Sequence, residues 1–331
     1  MTHRSVRAAF LRTRIFALAV LAVAICVGGI GAVLRDSSGA TAEPRVRKLL
    51  FIGIDGVRSD ALKVAHTPYL DDLMKHGAFA YDTQILGERY RLNDTVSAPG
   101  WSSILTGVWA DKHGVNGSTF RGTNFGKYPN FLARLKDARP SAKTAVFVSW
   151  PAIAQHIITS ADVLRVFAPT GPTAAGYLEA DRQVAEAARR HLAAYDDPDA
   201  LFVYWALPDA TGHESGFHRQ VREYRRAIET VDSLTGVLLH AIWARKTFRR
   251  EEWLVIVTSD HGGQGTHHRN GHHDAEVLSV FLIVSGPAAR RGRMQFPTYI
   301  VDPPVTALRH LGVAIEDAWG LDGRVVGLKA R

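Results

Sequence analysis

Four polar segments of the chain carry the carboxylates, imidazoles and hydroxyls that hold metals or attack substrates in hydrolases. Each segment follows an apolar run or opens a predicted helix; they span residues 55–58, 95–107, 209–213 and 258–273. Catalytic sites of α/β proteins form just beyond the carboxyl ends of the strands. We therefore expect the four segments to converge on one site.

The first and fourth segments end apolar runs that predict buried strands. Asp55 follows Ile54, and Gly56 beside it allows a close approach of backbone or ligand. Asp260 and His261 follow Thr258 in the same way. An Asp-Gly pair after a strand is commonly only a turn, so Asp55 indicates a site only in the company of the other segments.

The third and fourth segments add histidines. Asp209 and His213 are four residues apart on a predicted turn, a spacing that lets both side chains reach one metal ion. Five of the 15 histidines fall between His261 and residue 273, where a solvated, histidine-rich loop is the alternative interpretation.

Carboxylates and imidazoles in these numbers predict two metal sites with nitrogen and oxygen ligands. The predicted ligands are Asp55, Asp209, His213, Asp260, His261 and one later histidine. Such a ligand set suits two divalent cations, zinc first, with manganese or iron as alternatives. Cys26 is the chain's single cysteine and lies near the N-terminus, so the rest of the chain has no thiolate ligand.

The second segment supplies the hydroxyl groups. Ser97 lies at a predicted helix start, where backbone N–H groups and the helix dipole favour an oxyanion. The alternative is that Ser97 only caps this helix. A two-metal centre with a hydroxyl between the metals is an arrangement for phosphoryl transfer.

Short apolar runs alternate with helical stretches from residue 47 onward, and this alternation predicts the elements that position the site. Strands are predicted at 49–54, 144–149, 201–206, 253–258 and 280–284, and helices at 60–76, 177–195 and 219–246. Continuous apolar strands separated by helices indicate an α/β fold with a mostly parallel central sheet and helices on both faces, a three-layer sandwich.

Composition and charge describe an ordinary globular chain with a distinctive N-terminal segment. The 331 residues are 46% hydrophobic and carry a net charge of +8. Residues 1–42 are basic at first and then apolar without a charge from 15 to 34, which predicts a signal peptide or a membrane anchor. Residues 43–331 are expected to form one exported catalytic domain. Its mildly basic balance favours anionic substrates and indicates no specific nucleic-acid partner.

The motifs resemble those of the alkaline phosphatase superfamily, and most of all its nucleotide pyrophosphatase/phosphodiesterase branch. The similarity extends from about residue 48 to 312. It is carried by Ile-Asp-Gly-x-Arg at 54–58, the Ser97 segment, Asp-x-x-x-His at 209–213 and Ser-Asp-His-Gly at 259–262. The segment from Asp302 to Thr306 also resembles the start of the closing helix of the family.

The resemblance implies roles for these residues. Asp55, Asp260 and His261 would bind one metal, and Asp209 and His213 the other, with His268 or else His272 as its third ligand. Ser97 would be the nucleophile, in contact with the metals, and Thr95 is the rival position. The metals would activate the Ser97 hydroxyl, and a phosphoseryl intermediate would form and be hydrolysed by water.

Two positions depart from the resemblance. Sulfatases have Arg four residues after the nucleophile, where this chain has Trp101, and many phosphodiesterases have Asn three residues after it, where this chain has Gly100. The expected function is an exported, two-metal hydrolase of small phosphate esters, either a phosphodiesterase or a phosphatase. The alternatives are a sulfatase or phosphonate hydrolase of the same superfamily, and a catalytically silent, membrane-anchored binding protein.

Overall fold

An eight-stranded sheet runs through the centre of the protein, whose computed structural model describes residues 45–194 and 197–330. The strands are β1 (Val46–Ile54), β2 (Ala78–Gln84), β3 (Thr144–Val148), β4 (Val163–Val166), β5 (Ala200–Trp205), β6 (Glu251–Thr258), β7 (Ser279–Ser285) and β8 (Gly292–Arg293). Their order in the sheet is β4-β3-β5-β1-β6-β7-β2-β8. All neighbouring pairs are parallel except those of β7, which runs antiparallel to both β6 and β2.

Helices cover both faces of the sheet. They are α1 (Ser59–Leu62), α2 (Pro68–His76), α3 (Ser97–Thr106), α4 (Ala110–His113), α5 (Phe131–Ala138), α6 (Ala174–Ala193), α7 (Leu207–Ser215), α8 (Arg222–Trp243), α9 (Ala275–Leu278) and α10 (Asp302–His310). One apolar core lies between the sheet and α3, α5 and α10, and a second lies between the sheet and α2, α6 and α8. The three-layer α/β fold predicted from the sequence is thus confirmed.

Successive residues of the central strands point to opposite cores. In β1, Leu49 and Phe51 enter the core beneath α3, whereas Leu50 and Ile52 enter the core beneath α8. All four side chains are fully buried, as continuous apolar runs predict for strands covered on both faces. This burial fixes β1 at the middle of the sheet, directly below the predicted site.

The sequence pattern missed three strands, one helix break and the helices α4, α5 and α9. Strands β2, β4 and β8 lie toward the sheet edges, and their partly exposed residues interrupt the apolar runs used for prediction. The predicted helix 60–76 is in fact α1 and α2, because Pro68 disfavours helical backbone at Thr67 and starts a new helix.

The remaining predicted elements have the expected type with shifted ends. The five predicted strands correspond to β1, β3, β5, β6 and β7, and the two long predicted helices correspond to α6 and α8. Residue 195, the predicted end of α6, lies outside the described residues, as does the predicted leader of residues 1–42. Within the described part of the chain, none of the helices combines the length and the apolar character needed to cross a membrane.

A buried carboxylate ties two helices of one face together. Asp232 of α8 accepts hydrogen bonds from the backbone N–H groups of Leu70 (2.8 Å) and Tyr69 (3.4 Å) in the first turn of α2. These N–H groups have no partner within α2, so Asp232 caps that helix from outside. Burial raises the pKa of Asp232 to about 6.

We predict that Asp232 makes the stability of the protein depend on pH. The native state keeps this proton up to about pH 6, whereas the unfolded chain releases it near pH 3.8, the usual pKa of an aspartate. The contribution of Asp232 to stability therefore falls as the pH rises between these values. The stability advantage of the wild type over Asp232→Asn should shrink between pH 4 and pH 7 by up to about 3 kcal/mol, since one pKa unit is about 1.4 kcal/mol. Urea denaturation of the wild type and of Asp232→Asn at pH 4 and pH 7 measures this difference in the free energy of unfolding. Asp137→Asn, on an exposed position, should give a difference that does not change with pH, and equal behaviour of the two variants would contradict the assignment.

Candidate active site

The predicted site residues meet at the carboxyl ends of three adjacent parallel strands. Strands β5, β1 and β6 end side by side, with Gly53 of β1 paired to Tyr204 of β5 and to Thr258 of β6. The residues that follow these strands therefore converge, as the sequence predicted. Asp209 and His213 lie on α7, one helical turn apart, and not on the predicted turn.

The first cluster of ligand atoms consists of Asp55, Asp260 and His261, all of which are buried. His261 Nε2 lies 3.5 Å from Asp55 Oδ1 and 3.3 Å from Asp260 Oδ2. The Nδ1 atom of the same ring hydrogen-bonds the Gly262 carbonyl at 2.8 Å, which fixes the ring and leaves Nε2 turned toward the carboxylates. One ligand atom of each of these three side chains therefore faces the same small volume.

The second cluster consists of Asp209, His213 and His268. Nε2 of His213 lies 3.1 Å from Nε2 of His268, and the two atoms are 3.5 and 3.6 Å from the carboxylate oxygens of Asp209. Backbone carbonyls fix both rings through Nδ1, that of Thr266 for His213 and that of Thr95 for His268. Both imidazoles therefore turn Nε2 toward Asp209.

Of the two candidates for the last histidine, the structure brings only His268 to this cluster. His272 hydrogen-bonds the carbonyl of Asn93 at 2.9 Å instead. The ring of His268 also stacks on that of His261 with the ring centroids 3.7 Å apart, so the two clusters are immediate neighbours.

The charges of the two clusters fit a pair of cations. Burial, followed by repulsion from the Asp55 carboxylate, raises the pKa of both Asp209 and Asp260 well above the usual range. Burial lowers the pKa of His261 and that of His268, the latter to about 2, which keeps both imidazoles neutral as ligands must be. Asp209 Oδ1 and Asp260 Oδ2 are buried without a hydrogen-bond partner. Two divalent cations would satisfy these oxygens and balance the three carboxylates.

Ser97 lies against the first cluster. Its hydroxyl oxygen is 3.1 Å from His261 Nε2 and 3.4 Å from Asp55 Oδ1. Ser97 is the first residue of α3, and Val96 occupies the capping position, so the serine hydroxyl makes no capping hydrogen bond. The hydroxyl is therefore directed into the site and does not serve the helix.

Thr95, the rival nucleophile, is engaged in the loop. Its hydroxyl donates to the His268 carbonyl and accepts from the N–H of Gly271 at 2.9 Å, and the residue is 1% exposed. Thr95 therefore ties the histidine loop to the segment before α3. It holds His268 in place through both its hydroxyl and its carbonyl.

A pocket of about 770 Å³ opens above the two clusters. Ser97 and the three residues of the second cluster line it, together with Trp150 and Arg269 among others. Arg269 pairs with Asp94 at 3.1 Å and donates to Ser118, so its cationic group is held at the pocket wall. The pocket thus offers an aromatic surface and a positive charge next to Ser97.

Gly56 and Gly100 allow the carboxylates to approach the backbone. A Cβ on Gly56, which has φ of +66°, would lie 2.7 Å from Asp209, and a Cβ on Gly100 would lie 3.0 Å from the Cβ of Asp260. Gly56 N–H also donates to Asp260 Oδ1 at 3.2 Å. A side chain at position 100, where the resemblance would have Asn, would press on Asp260.

Sequence reasoning missed three residues that hold the site. Asp181 of α6 is fully buried and accepts from the N–H groups of Ala206 and Leu207, which secures the start of α7. Trp101 and Tyr204 both donate to one oxygen of Asp55. Spacing within the sequence gives no sign of these contacts, because each joins elements that are distant along the chain.

Comparison with known proteins agrees with this geometry. The sequence profile of the family "Type I phosphodiesterase / nucleotide pyrophosphatase" matches residues 49–295. The chain is 26% identical over 246 residues to the bis(5'-adenosyl)-triphosphatase ENPP4 of Bos taurus, covering 69% of this chain and 49% of that protein. It is 24% identical over 261 residues to the Homo sapiens protein of the same name, covering 73% and 52%. The chain thus spans about half the length of these relatives.

Solved structures share the fold at low sequence identity. An inactive murine ectonucleotide pyrophosphatase/phosphodiesterase 5 in complex with AMP superposes with a TM-score of 0.59 at 16% identity, covering 81% of this chain and 96% of that one. A 2-O GAG sulfatase superposes with a TM-score of 0.63 at 12% identity, covering 86% and 73%. These structures belong to the alkaline phosphatase-like α/β fold. With three quarters of its length matched by the profile, the chain belongs to the type I phosphodiesterase/nucleotide pyrophosphatase family.

Proposed function

We propose that this protein hydrolyses small phosphate esters through a covalent intermediate on Ser97, in a site that holds two divalent cations. The observation that carries the proposal is the position of the Ser97 hydroxyl. It contacts the first cluster through His261 and Asp55 and lines the same pocket as the second cluster. A nucleophile between two cation sites is the arrangement that phosphoryl transfer requires.

The two clusters would hold the cations, one between Asp55, Asp260 and His261 and the other between Asp209, His213 and His268. When bound, two such cations lower the pKa of a hydroxyl at Ser97 and stabilise the charge on the phosphoryl oxygens. Mixed imidazole and carboxylate ligands suit zinc and also admit manganese or iron.

The side chains of the protein then perform the remaining steps. Ser97 Oγ attacks phosphorus, the bond to the leaving oxygen breaks in line, and a phosphoserine forms. Attack of water on this phosphoserine releases phosphate or a phosphate monoester and restores the hydroxyl. Because Ser97 opens α3, the positive end of that helix adds stabilisation to the phosphoryl oxygens.

The pocket favours a substrate with an organic group beside the phosphate. Trp150 offers an aromatic surface, and Arg269 offers a fixed positive charge to an anionic group. Nucleotides have both features, and the relatives described as bis(5'-adenosyl)-triphosphatases act on a substrate of this kind. We assign nucleotide-like phosphate esters, diesters included, as the substrate class. Trp101 in place of the sulfatase arginine disfavours a sulfate ester.

We further propose that the catalytic domain acts outside the cytoplasm. The support is the basic segment before an uncharged apolar run at residues 15–34, which is typical of a signal peptide or anchor.

Removal of the nucleophile should abolish turnover but not metal binding. Ser97→Ala should lower kcat for a chromogenic phosphodiester by at least about three orders of magnitude, since only binding and cation effects remain. Acid quenching of wild type with labelled substrate should trap the phosphoryl group on the peptide that contains Ser97. Thr95→Ala should still form this intermediate. Label on the Thr95 hydroxyl, or normal turnover by Ser97→Ala, would overturn the assignment.

Substitution of a ligand in either cluster should remove only the metal ion of that cluster. Purified wild type should contain two divalent ions, and Asp260→Ala and His213→Ala should each contain about one, because each variant removes a ligand from a different cluster. Elemental analysis of dialysed protein measures this. His273→Ala, in the exposed part of the histidine-rich loop, should keep both ions. An equal loss from that variant would indicate nonspecific binding by the loop.

The leader should direct export by itself. Residues 1–42 fused to a reporter that is active only outside the cytoplasm should give reporter activity, and N-terminal sequencing of the exported protein will distinguish cleavage from anchoring. Replacing Arg4, Arg7, Arg12 and Arg14 by Glu should impair export, since a basic flank is part of the signal. A reporter that stays inactive with the native leader would contradict the proposal.

A further inference from the structure

One oxygen of Asp55 is fully occupied by two neutral donors. Trp101 Nε1 donates to Asp55 Oδ2 at 2.8 Å, and the Tyr204 hydroxyl donates to the same oxygen. Trp101 is completely buried, Tyr204 is 2% exposed, and their rings meet edge to face with the centroids 5.1 Å apart. The other oxygen, Oδ1, faces His261 and Ser97.

Neighbouring residues restrict the position of the Trp101 ring. A Cβ on Gly53 of β1 would lie 2.3 Å from the indole of Trp101, so the ring occupies space that only glycine leaves open. Phe202 packs edge to face against the other side of the indole, with the centroids 6.3 Å apart. These contacts restrict the Trp101 ring, and its N–H points at Asp55.

The three carboxylates of the site differ in their hydrogen bonds. Asp260 Oδ1 accepts the N–H of Gly56, which leaves Oδ2 without a partner, and Asp209 keeps Oδ1 without one. Asp55 alone among them has one oxygen held by two side chains. Asp209 and Asp260 thus each keep one oxygen without a hydrogen-bond partner, and Asp55 turns Oδ1 toward His261 and Ser97.

We infer that Trp101 and Tyr204 are positioning residues that hold Asp55 as a one-oxygen ligand of the first cluster and direct Oδ1 toward the cation. This inference rests on the proposed two-cation site. Hydrogen bonds from outer residues orient a metal ligand and set its affinity, and their loss commonly weakens binding by about 10- to 100-fold. At position 101, where sulfatases have an arginine, this chain has an uncharged indole. We infer that this indole acts on the proposed metal ligand Asp55.

The test is metal binding by the full chain, measured by calorimetric titration of the metal-free protein with zinc. Trp101→Phe and Tyr204→Phe each remove one donor to Asp55. Each should weaken one of the two binding events by about 10-fold or more, and the double variant should weaken it further, while the second event stays unchanged. The event that changes should be the one already missing in Asp260→Ala.

Trp205→Phe is the matched control. Trp205 is also fully buried, but its indole N–H has no hydrogen-bond partner, so the same exchange replaces an indole without removing a hydrogen bond. It should cost stability by thermal unfolding and leave both zinc affinities unchanged. Unchanged zinc affinities in folded Trp101→Phe and Tyr204→Phe, or an equal loss in Trp205→Phe, would overturn the inference. A wild type that binds neither zinc nor manganese nor iron would refute the proposed function itself.

Discussion

The site depends on three carboxylates that converge at one edge of the sheet, two of them, Asp55 and Asp260, buried and the third, Asp209, partly buried. Asp55, Asp209 and Asp260 follow adjacent strands, where burial and repulsion from the Asp55 carboxylate disfavour the ionised forms of Asp209 and Asp260. Arg58, three residues after Asp55, is paired with Asp60. Bound cations would stabilise the ionised forms of these carboxylates. Neutral imidazoles beside the carboxylates supply ligands without adding positive charge.

The sheet brings these groups together because parallel strands end at the same edge. The residues after β1, β5 and β6 must meet, whatever lies between them in the sequence. Contacts in the short segments that follow these strands then position the individual side chains of the site. Gly56 turns the chain sharply enough for Asp209 to pack on it, and Asp181 holds the first turn of the helix that carries Asp209. The histidine loop is fastened by Thr95 from the other side.

The fold and the chemistry are separate matters in this protein. Structures similar to this chain include sulfatases, ectonucleotide phosphodiesterases and a phosphonate monoester hydrolase, so the fold alone does not select the ester. We propose that the selection falls to a few positions around Ser97. Gly100 leaves no room for a side chain beside Asp260, and Trp101 supplies an uncharged donor to Asp55. Arg269 and Trp150 give the pocket its charge and its aromatic wall.

The sequence alone determined the layered α/β fold, because buried central strands must be continuous apolar runs and their helices must follow a helical period. It also predicted the residues that meet in the site, since Asp55, Asp209 and Asp260 come soon after such strands. The sequence favoured His268 over His272 by spacing, but only the tertiary structure places His268 beside Asp209 and His213 and His272 against the Asn93 carbonyl. Only the tertiary structure also showed that Trp101 and Tyr204 both donate hydrogen bonds to Asp55. Hydrogen bonds between elements more than 40 residues apart leave no periodic trace in a sequence, because they depend on how the helices and strands pack.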